Sequence, residues 1–355
     1  MIDTLTIDIQ KTQSSKLNQV DFDNIQFGKV YSDHMFVSKY RNGEWGGHKI
    51  LPYGNLSVSP ATPAIHYGQS IFEGMKGYRS PDGEIILFRP LDNFHRLNIS
   101  AERMCMPHVS EEVFMEGLTE LIRLDEGWIP NKEGTSLYIR PFLFSADEYI
   151  GIRPSDNFDF MIITCPVGAY YSKPVRVKIE TKYSRAIEGG TGYAKAGGNY
   201  GGALYPAKLA QQKGYDQLIW TDGKSHKYIE EAGTMNVLFL IDDTLVTAPT
   251  GDTILKGITR DSVLTLARDW GVKVEERKLE VAELIDAAKS GRLKEAFGAG
   301  TAATIAHIAA IGHEGIDYEL PEKGEDALSN RILAELDAIR TGRKEDKFGW
   351  VHRVN

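Results

Sequence analysis

The stretch GAGTAATIAHIAAIGHEGIDYELP, Gly298–Pro321, can be read in two ways that imply different folds. Its first six residues satisfy Gly-x-Gly-x-x-Ala and follow the strand-like KEAF, the setting of a dinucleotide-binding turn. Asp317 even lies at a plausible distance for a ribose contact. Such a site needs a crossover helix after the glycines. The residues after Ala303, TIAHIAAIGHEGIDYELP, instead carry the pattern of a strand, a turn and a second strand. A hairpin is therefore expected, with no dinucleotide site. The small-residue turn keeps a second use, because its backbone N–H groups can cradle a phosphate.

Upstream, DQLIWTD, NVLFLI and LVTAP read as short strands separated by the turns DGKSH and DDT. Helices are expected at Arg260–Trp270, stopped by Gly271, and at Val281–Ser290, stopped by Gly291. In the first half, EIILFRP reads as a strand, and LDNFHRLNISAERMCMP as a helix that Pro107 ends. SEEVFMEGLTELIRLDEGWIP reads as an amphipathic helix, and TSLYIRPFLF as a strand burying one face. Strands cluster and helices intervene without strict alternation, which favours α+β over a doubly wound sheet. At 355 residues, two domains are the default. The Pro- and Gly-containing PVGAYYSKP suits an interdomain connection. The expected division is an N-terminal α/β domain over 1–165 with a polar extension, a loop over 166–176, and a larger domain over 177–355.

The formal net charge is -8 and no Lys/Arg-rich block occurs, which argues against a nucleic-acid partner. Two cysteines, Cys105 and Cys165, stand far apart, so neither a disulfide framework nor a zinc site is expected, and a reducing cytoplasm suits them. The nine histidines form no His-Glu-x-x-His pattern, and no metal is expected. The N-terminus does not read as a signal peptide, and FDFMIITCPVGAYY is too short and too broken to span a membrane.

Three stretches carry chemistry. In GYAKAGGNYGGAL, Lys195 is flanked by Ala194 and Ala196 and followed by Gly197 and Gly198. One reading is a glycine loop with an exposed lysine. The other is an amine where backbone or ligand approaches closely, with Tyr200 five residues on. In LKGITRDSVLTLARDWG, Thr259 is a candidate N-cap and Gly257 permits close approach to a helix N-terminus, either as plain capping or as an anion site. Arg96 could add a positive charge. In HKYIEEAGTMNVLF, Glu230 and Glu231 are neighbours on extended chain, so one is expected to face solvent and one inward. An inward carboxylate needs a cationic or donor partner, and a protonated pyridine nitrogen would serve. An amine, a tyrosine, a buried carboxylate and two glycine-rich anion sites together form the set that pyridoxal 5'-phosphate requires.

The markers HYGQSIFEGMKGYR, YIRPFLF, CPVGAYY, KAGGNYGG, EAGTMNVLF, LKGITRDSV and FGAGTAATIAHI occur in this order. With them the chain resembles the branched-chain amino acid aminotransferases, fold type IV pyridoxal-phosphate enzymes of the class IV aminotransferase family, from FGKVYSDHM to FGWVHRV. The resemblance implies two α/β domains joined by a loop, and reversible transfer of the amino group of leucine, isoleucine or valine to 2-oxoglutarate. It makes Lys195 the cofactor-bearing lysine and Tyr200 the partner of the cofactor's phenolic oxygen. Glu231, which directly precedes AGTMN, becomes the acid on the pyridine nitrogen. Arg96, Ile258, Thr259 and Thr301 match the phosphate cradle. Tyr67, Tyr138, Arg140 and Ala302 match positions around the substrate's carboxylates, and Tyr31, Phe72, Tyr170 and Thr234 match the pocket wall. Ile150 and Ile152 resemble the loop that reaches into a partner subunit's site, which implies a homodimer. Where some relatives carry a redox Cys-x-x-Cys after the GTA turn, this chain has Ala303 and Ala306, so no thiol switch is expected. D-amino-acid aminotransferases and aminodeoxychorismate lyases share the lysine and phosphate logic, but FEGMKGYR and EAGTMN point to the branched-chain group. A non-catalytic protein binding a phosphate ligand with the same glycine turns is the alternative of a different class.

Overall fold

Leu293–Gly300 and Thr304–His313 run antiparallel with Ala299 opposite Ile305, and Ile316–Glu319 folds back against the second of them. The hairpin reading of Gly298–Pro321 is thus the fold's own. The computed structural model describes residues 5–168 and 173–354, in two units. Unit 1 comprises Met1–Tyr170, Ala194–Gly197 and Ala338–Asn355; unit 2 comprises Tyr171–Tyr193 and Gly198–Asp337. Ala194–Gly197 and Ala338–Asn355, expected in the second domain, cluster with unit 1 instead. For the C-terminus the cause is the strand Val351–Val354, which pairs antiparallel with Ile85–Phe88.

Unit 1 contains β1 (Asp8–Ile9), β2 (His34–Arg41), β3 (Glu44–Pro52), β4 (Ser70–Phe72), β5 (Met75–Arg79), β6 (Ile85–Phe88), β7 (Ser136–Ser145) and β8 (Phe158–Val167). They form one sheet in the order β1-β3-β2-β8-β7-β5-β6, closed by Val351–Val354, with β4 also on β7. Its helices are α1 (Pro63–Tyr67), α2 (Pro90–Arg103) and α3 (Glu111–Leu124). Ser110 caps α3 by accepting from the Val113 N–H, and Val113, Phe114, Leu118, Leu121 and Ile122 give the helix one apolar stripe. That stripe packs with Leu97 and Ala101 of α2 against Leu137, Ile139 and Leu143 of β7. The expected one-sided burial of β7 is corrected here. Its other face, Tyr138 and Phe144, is buried as well, in smaller clusters with Cys165 and Val167 and with Met35 and Met161.

The polar N-terminal extension is part of this unit. β1 pairs parallel with β3, and Leu5, Ile7, Leu17 and Val20 pack on the core. The Thr12 N–H donates to His34 Nε2 (2.9 Å), while His34 Nδ1 bonds buried Asp125 (2.6 Å). Asp33 accepts from Ser15, Lys16 and Trp128.

The Lys195 loop continues into α4 (Gly197–Gly201). Unit 2 contains β9 (Val175–Glu180), β10 (Gln217–Thr221), β11 (Tyr228–Ala232), β12 (Met235–Ile241), β13 (Thr244–Thr247), β14 (Lys273–Glu276), β15 (Leu279–Glu280), β16 (Leu293–Gly300), β17 (Thr304–His313) and β18 (Ile316–Glu319). The order is β14-β13-β12-β16-β17-β9-β10-β11-β15. The helices are α5 (Leu204–Gln211), α6 (Ile258–Asp269), α7 (Val281–Lys289) and α8 (Leu328–Arg340). Gly271 and Gly291 follow α6 and α7 with φ of 74° and 71°, the left-handed conformation that ends a helix. Parallel pairs of β9 with β10 and β17 sit among antiparallel neighbours, so the architecture is α+β. No helix among the described residues is long and apolar enough to cross a membrane.

Candidate active site

Unit 1 places Lys195 by its backbone. Ala194 and Ala196 are both buried, and Ala196 forms an antiparallel bridge with Ile71. The Phe72 N–H donates to the Lys195 carbonyl (3.1 Å), and the Lys195 N–H donates to Ser100 Oγ (2.9 Å). The small neighbours therefore let this stretch dock as an extra edge beside β4. Ile71 and Ala196 point into the core, so by the strand's period of two Phe72 and Lys195 share the opposite face. Lys195 Nζ lies 4.8 Å from the Phe72 ring centroid.

The same face of β7 carries Tyr138 and Arg140, two residues apart, and Phe72 pairs with Phe142 of that strand. The Arg140 guanidinium lies 4.5 Å from the Phe72 centroid and 5.3 Å from that of Tyr138, and its Nη2 donates to the Tyr138 hydroxyl (2.8 Å). Its buried Nε has no hydrogen-bond partner among the described residues, and no carboxylate among them pairs with the guanidinium. Gly74 leaves room for the Tyr138 hydroxyl, into which a Cβ there would run. Tyr31 packs on the Tyr138 cluster and stacks on Tyr53 (4.8 Å). Cys165 in that cluster has its thiol pushed up to about 11 by burial, and so stays protonated and unreactive at neutral pH.

Arg96, on α2, makes a bidentate pair with Glu73: Nε to Oε1 at 2.7 Å and Nη2 to Oε2 at 2.8 Å, both side chains buried. Tyr67 ends α1 exposed. Ile150 and Ile152 are 65% and 94% exposed. Tyr170 lies outside the described residues.

In unit 2, Glu231 is 3% exposed and fully engaged. Its Oε1 accepts from Asn236 Nδ2 (3.0 Å) and the Leu255 N–H (2.7 Å), and its Oε2 pairs with Arg185 Nη2 (2.9 Å). Arg185 also donates to the carbonyls of Gly192 and Thr253. The expected one-in, one-out arrangement of the acid pair is corrected, since Glu230 is also buried, at 8%. β11 lies between β10 and β12 and also pairs with β15, and both of its faces are covered. The two acids remain unlike: Glu230 Oε2 has no hydrogen-bond partner among the described residues.

Burial, with the nearby Glu231 charge adding to it, raises the Glu230 carboxyl above its ordinary range. The folded state then holds a proton that the unfolded chain releases, so stability falls as pH rises from about 4 through the raised value. Glu230→Gln should accordingly keep or raise Tm at pH 7 and flatten this part of the Tm–pH curve. A steep drop in Tm at pH 7 would contradict it.

Thr259 is not the N-cap of α6. The helix starts at Ile258, and Gly257 is the cap, with no side-chain capping bond. A Cβ at Gly257 would collide with Asn236 Oδ1, so the close approach of Asn236 dictates glycine there. Ile258 and Thr259 thus occupy the first helical turn, at the positive end of the helix dipole. Thr301 and Ala302 lie in the turn between β16 and β17, partly buried, and Thr234 in the tight turn between β11 and β12. Tyr200 sits partly buried on α4. Asn199 beside it bonds Thr191 twice, which closes the loop that precedes Lys195.

Sequence patterns missed Glu73, Ser100, Arg185 and Asn236, each of which holds an expected site residue. Ser100 lies one helical turn after Arg96, and Glu73 falls inside FEGMKGYR, which are the signals that could have drawn notice. The chemistry of these groups suits pyridoxal phosphate: in unit 1 an amine against an aromatic ring, and in unit 2 a buried carboxylate paired with an arginine and a helix N-terminus capped by glycine.

The amino-transferase class IV family model matches residues 70–311. The chain is 43% identical over 355 residues to branched-chain-amino-acid aminotransferase 2 of Bacillus subtilis (strain 168), covering 98% of this chain and 97% of that protein. Among solved structures it is similar to the branched-chain amino acid aminotransferase from Escherichia coli (29% identity, TM-score 0.73, covering 91% of this chain and 99% of that one). It is also similar to the branched-chain aminotransferase from Thermoproteus uzoniensis with norvaline (26% identity, TM-score 0.75, covering 91% and 100%). The chain belongs to the class IV aminotransferase family, whose members depend on pyridoxal phosphate and act on amino and 2-oxo acids.

Proposed function

We propose that this aminotransferase moves the amino group of L-leucine, L-isoleucine or L-valine to 2-oxoglutarate, reversibly, in the cytoplasm. The observation that carries this reading is the single ring of Phe72, against which both the Lys195 amine and the acid-free Arg140 guanidinium lie. A reacting amine and a carboxylate receptor thereby share one apolar surface, and the near relatives are named for branched-chain substrates.

When bound, the cofactor supplies a ring that stabilises negative charge at the substrate's Cα. Lys195 would hold the cofactor, and its amine would be the group placed to move a proton at the substrate's Cα. Glu231, paired with Arg185, would bond the ring nitrogen. Tyr200 bonds the phenolic oxygen, and Arg96, Ile258, Thr259 and Thr301 hold the phosphate. Arg140, Tyr138, Tyr67 and Ala302 receive carboxylates, while Tyr31, Phe72, Tyr170 and Thr234 form the side-chain wall. Exposed Ile150 and Ile152 complete the pocket of a second subunit, so the working form is a homodimer.

An apolar wall discriminates by roughly 10- to 200-fold per methylene, so leucine, isoleucine and valine should differ from alanine more than from one another. Purified protein should therefore turn over L-leucine with 2-oxoglutarate and leave D-alanine untouched, and robust use of D-alanine would refute the assignment. Arg140→Met removes a charged donor, and the KM for 2-oxoglutarate should rise about tenfold or more, while that for leucine rises less. Equal rises would mean that Arg140 does not distinguish the second carboxylate.

A further inference from the structure

We infer that Ser100 is a positioning residue for Lys195, an inference that rests on Lys195 being the cofactor-bearing lysine. Ser100 is fully buried on α2, and its hydroxyl donates to the Arg96 carbonyl one turn back (3.0 Å). A helical serine commonly spends its one proton this way, which leaves the oxygen's lone pairs to be satisfied. Here they accept the N–H of Lys195, 95 residues away in the chain (2.9 Å). Donation to Arg96 polarises the hydroxyl and makes it a better acceptor. Alanine would be the better helix former at this buried position, so packing and propensity alone give no reason for the serine.

The contacts close into a circuit. From Ser100 the path runs along α2 to Arg96, across the bidentate pair to Glu73, and along the chain to Phe72. Phe72 returns to Lys195 twice, by its N–H to the lysine carbonyl and by its ring to Nζ. Both edges of the Lys195 peptide are therefore fixed to the elements that fix Arg96. Glu73 N–H, bonded to the Pro141 carbonyl (2.7 Å), ties the circuit to β7 one residue from Arg140. Removing the hydroxyl opens the circuit at the lysine without touching the lysine side chain.

The test compares wild type, Ser100→Ala and Ser100→Cys in the full chain, with Ser329→Ala as control. Ser329 is an equally buried serine, bonded to Glu295 on β16. In Ser100→Ala, hydrogen exchange at the Lys195 amide should accelerate about tenfold or more, and the visible absorbance of the loaded enzyme should titrate about one pH unit from wild type. Turnover should fall about 10- to 100-fold, with KM for leucine nearly unchanged. Ser329→Ala should lower Tm without moving the titration. Ser100→Cys, a weaker acceptor of similar size, should show the same shifts at smaller amplitude, and decides the matter if the alanine variant does not fold. Wild-type exchange and titration in the Ser100 variants would overturn the positioning role. Borohydride reduction of wild type separates the two readings: a label away from Lys195 overturns the function assigned to that lysine, and this inference with it.

Discussion

Lys195→Ala is expected to abolish transamination, with turnover down by at least about 10²- to 10⁴-fold, the share that a positioned proton-transfer group alone contributes. The visible absorbance of the lysine-bound cofactor should vanish with it. The fold should survive, because Lys195 is held by its main-chain N–H and carbonyl, which alanine keeps. Borohydride reduction of the wild-type protein followed by peptide mapping should label Lys195. A label on Lys76 or Lys256 would move the assignment, and an active Lys195→Ala would end it.

Glu231→Gln is expected to fail in two measurements at once. Glu231 and Arg185 are both buried, and a neutral amide keeps one acceptor where the carboxylate has two, leaving an N–H donor to face either Arg185 or the Asn236 and Leu255 donors. Breaking a buried pair costs about 3–5 kcal/mol, so a marked fall in Tm should accompany the loss of activity. Turnover should drop about 10²- to 10³-fold, the scale set by deleting one group that stabilises developing charge. Glu230→Gln should stay near wild type in turnover, because Glu230 has neither the arginine pairing nor the contacts to Asn236 and Leu255. If Glu230→Gln were the crippled variant, the assignment would be off by one residue.

Much of the site was legible because it is local. TSLYIRPFLF read as a strand, whose period of two places Tyr138 and Arg140 on one face of β7, and the strand-turn-strand pattern after Gly298 argued against the crossover that a dinucleotide would need. Gly271 and Gly291 marked helix ends because only a left-handed residue closes those turns without strain. The resemblance carried by the motifs named Lys195, Glu231 and Arg140 as candidates. Local pattern erred where a neighbour distant in sequence decided the outcome. Thr259 has good capping chemistry, yet the helix starts two residues earlier than expected, behind Gly257, whose place is dictated by the close approach of Asn236. Alternation on β11 would expose one acid, yet strands on both sides and cover on both faces bury Glu230 and Glu231 together.

Spacing within about one turn or one strand therefore dictates the elements and the reactive side chains they carry, and the chain records that spacing directly. The groups that hold those side chains come from long-range packing alone. Glu73 pairs with Arg96 across 23 residues, Arg185 with Glu231 across 46, and Ser100 with Lys195 across 95. The same packing brings the polar extension and the final strand Val351–Val354 into the first unit's sheet. Hydrogen bonds of this kind depend on where two distant backbones come to lie, and no period in the chain records that distance.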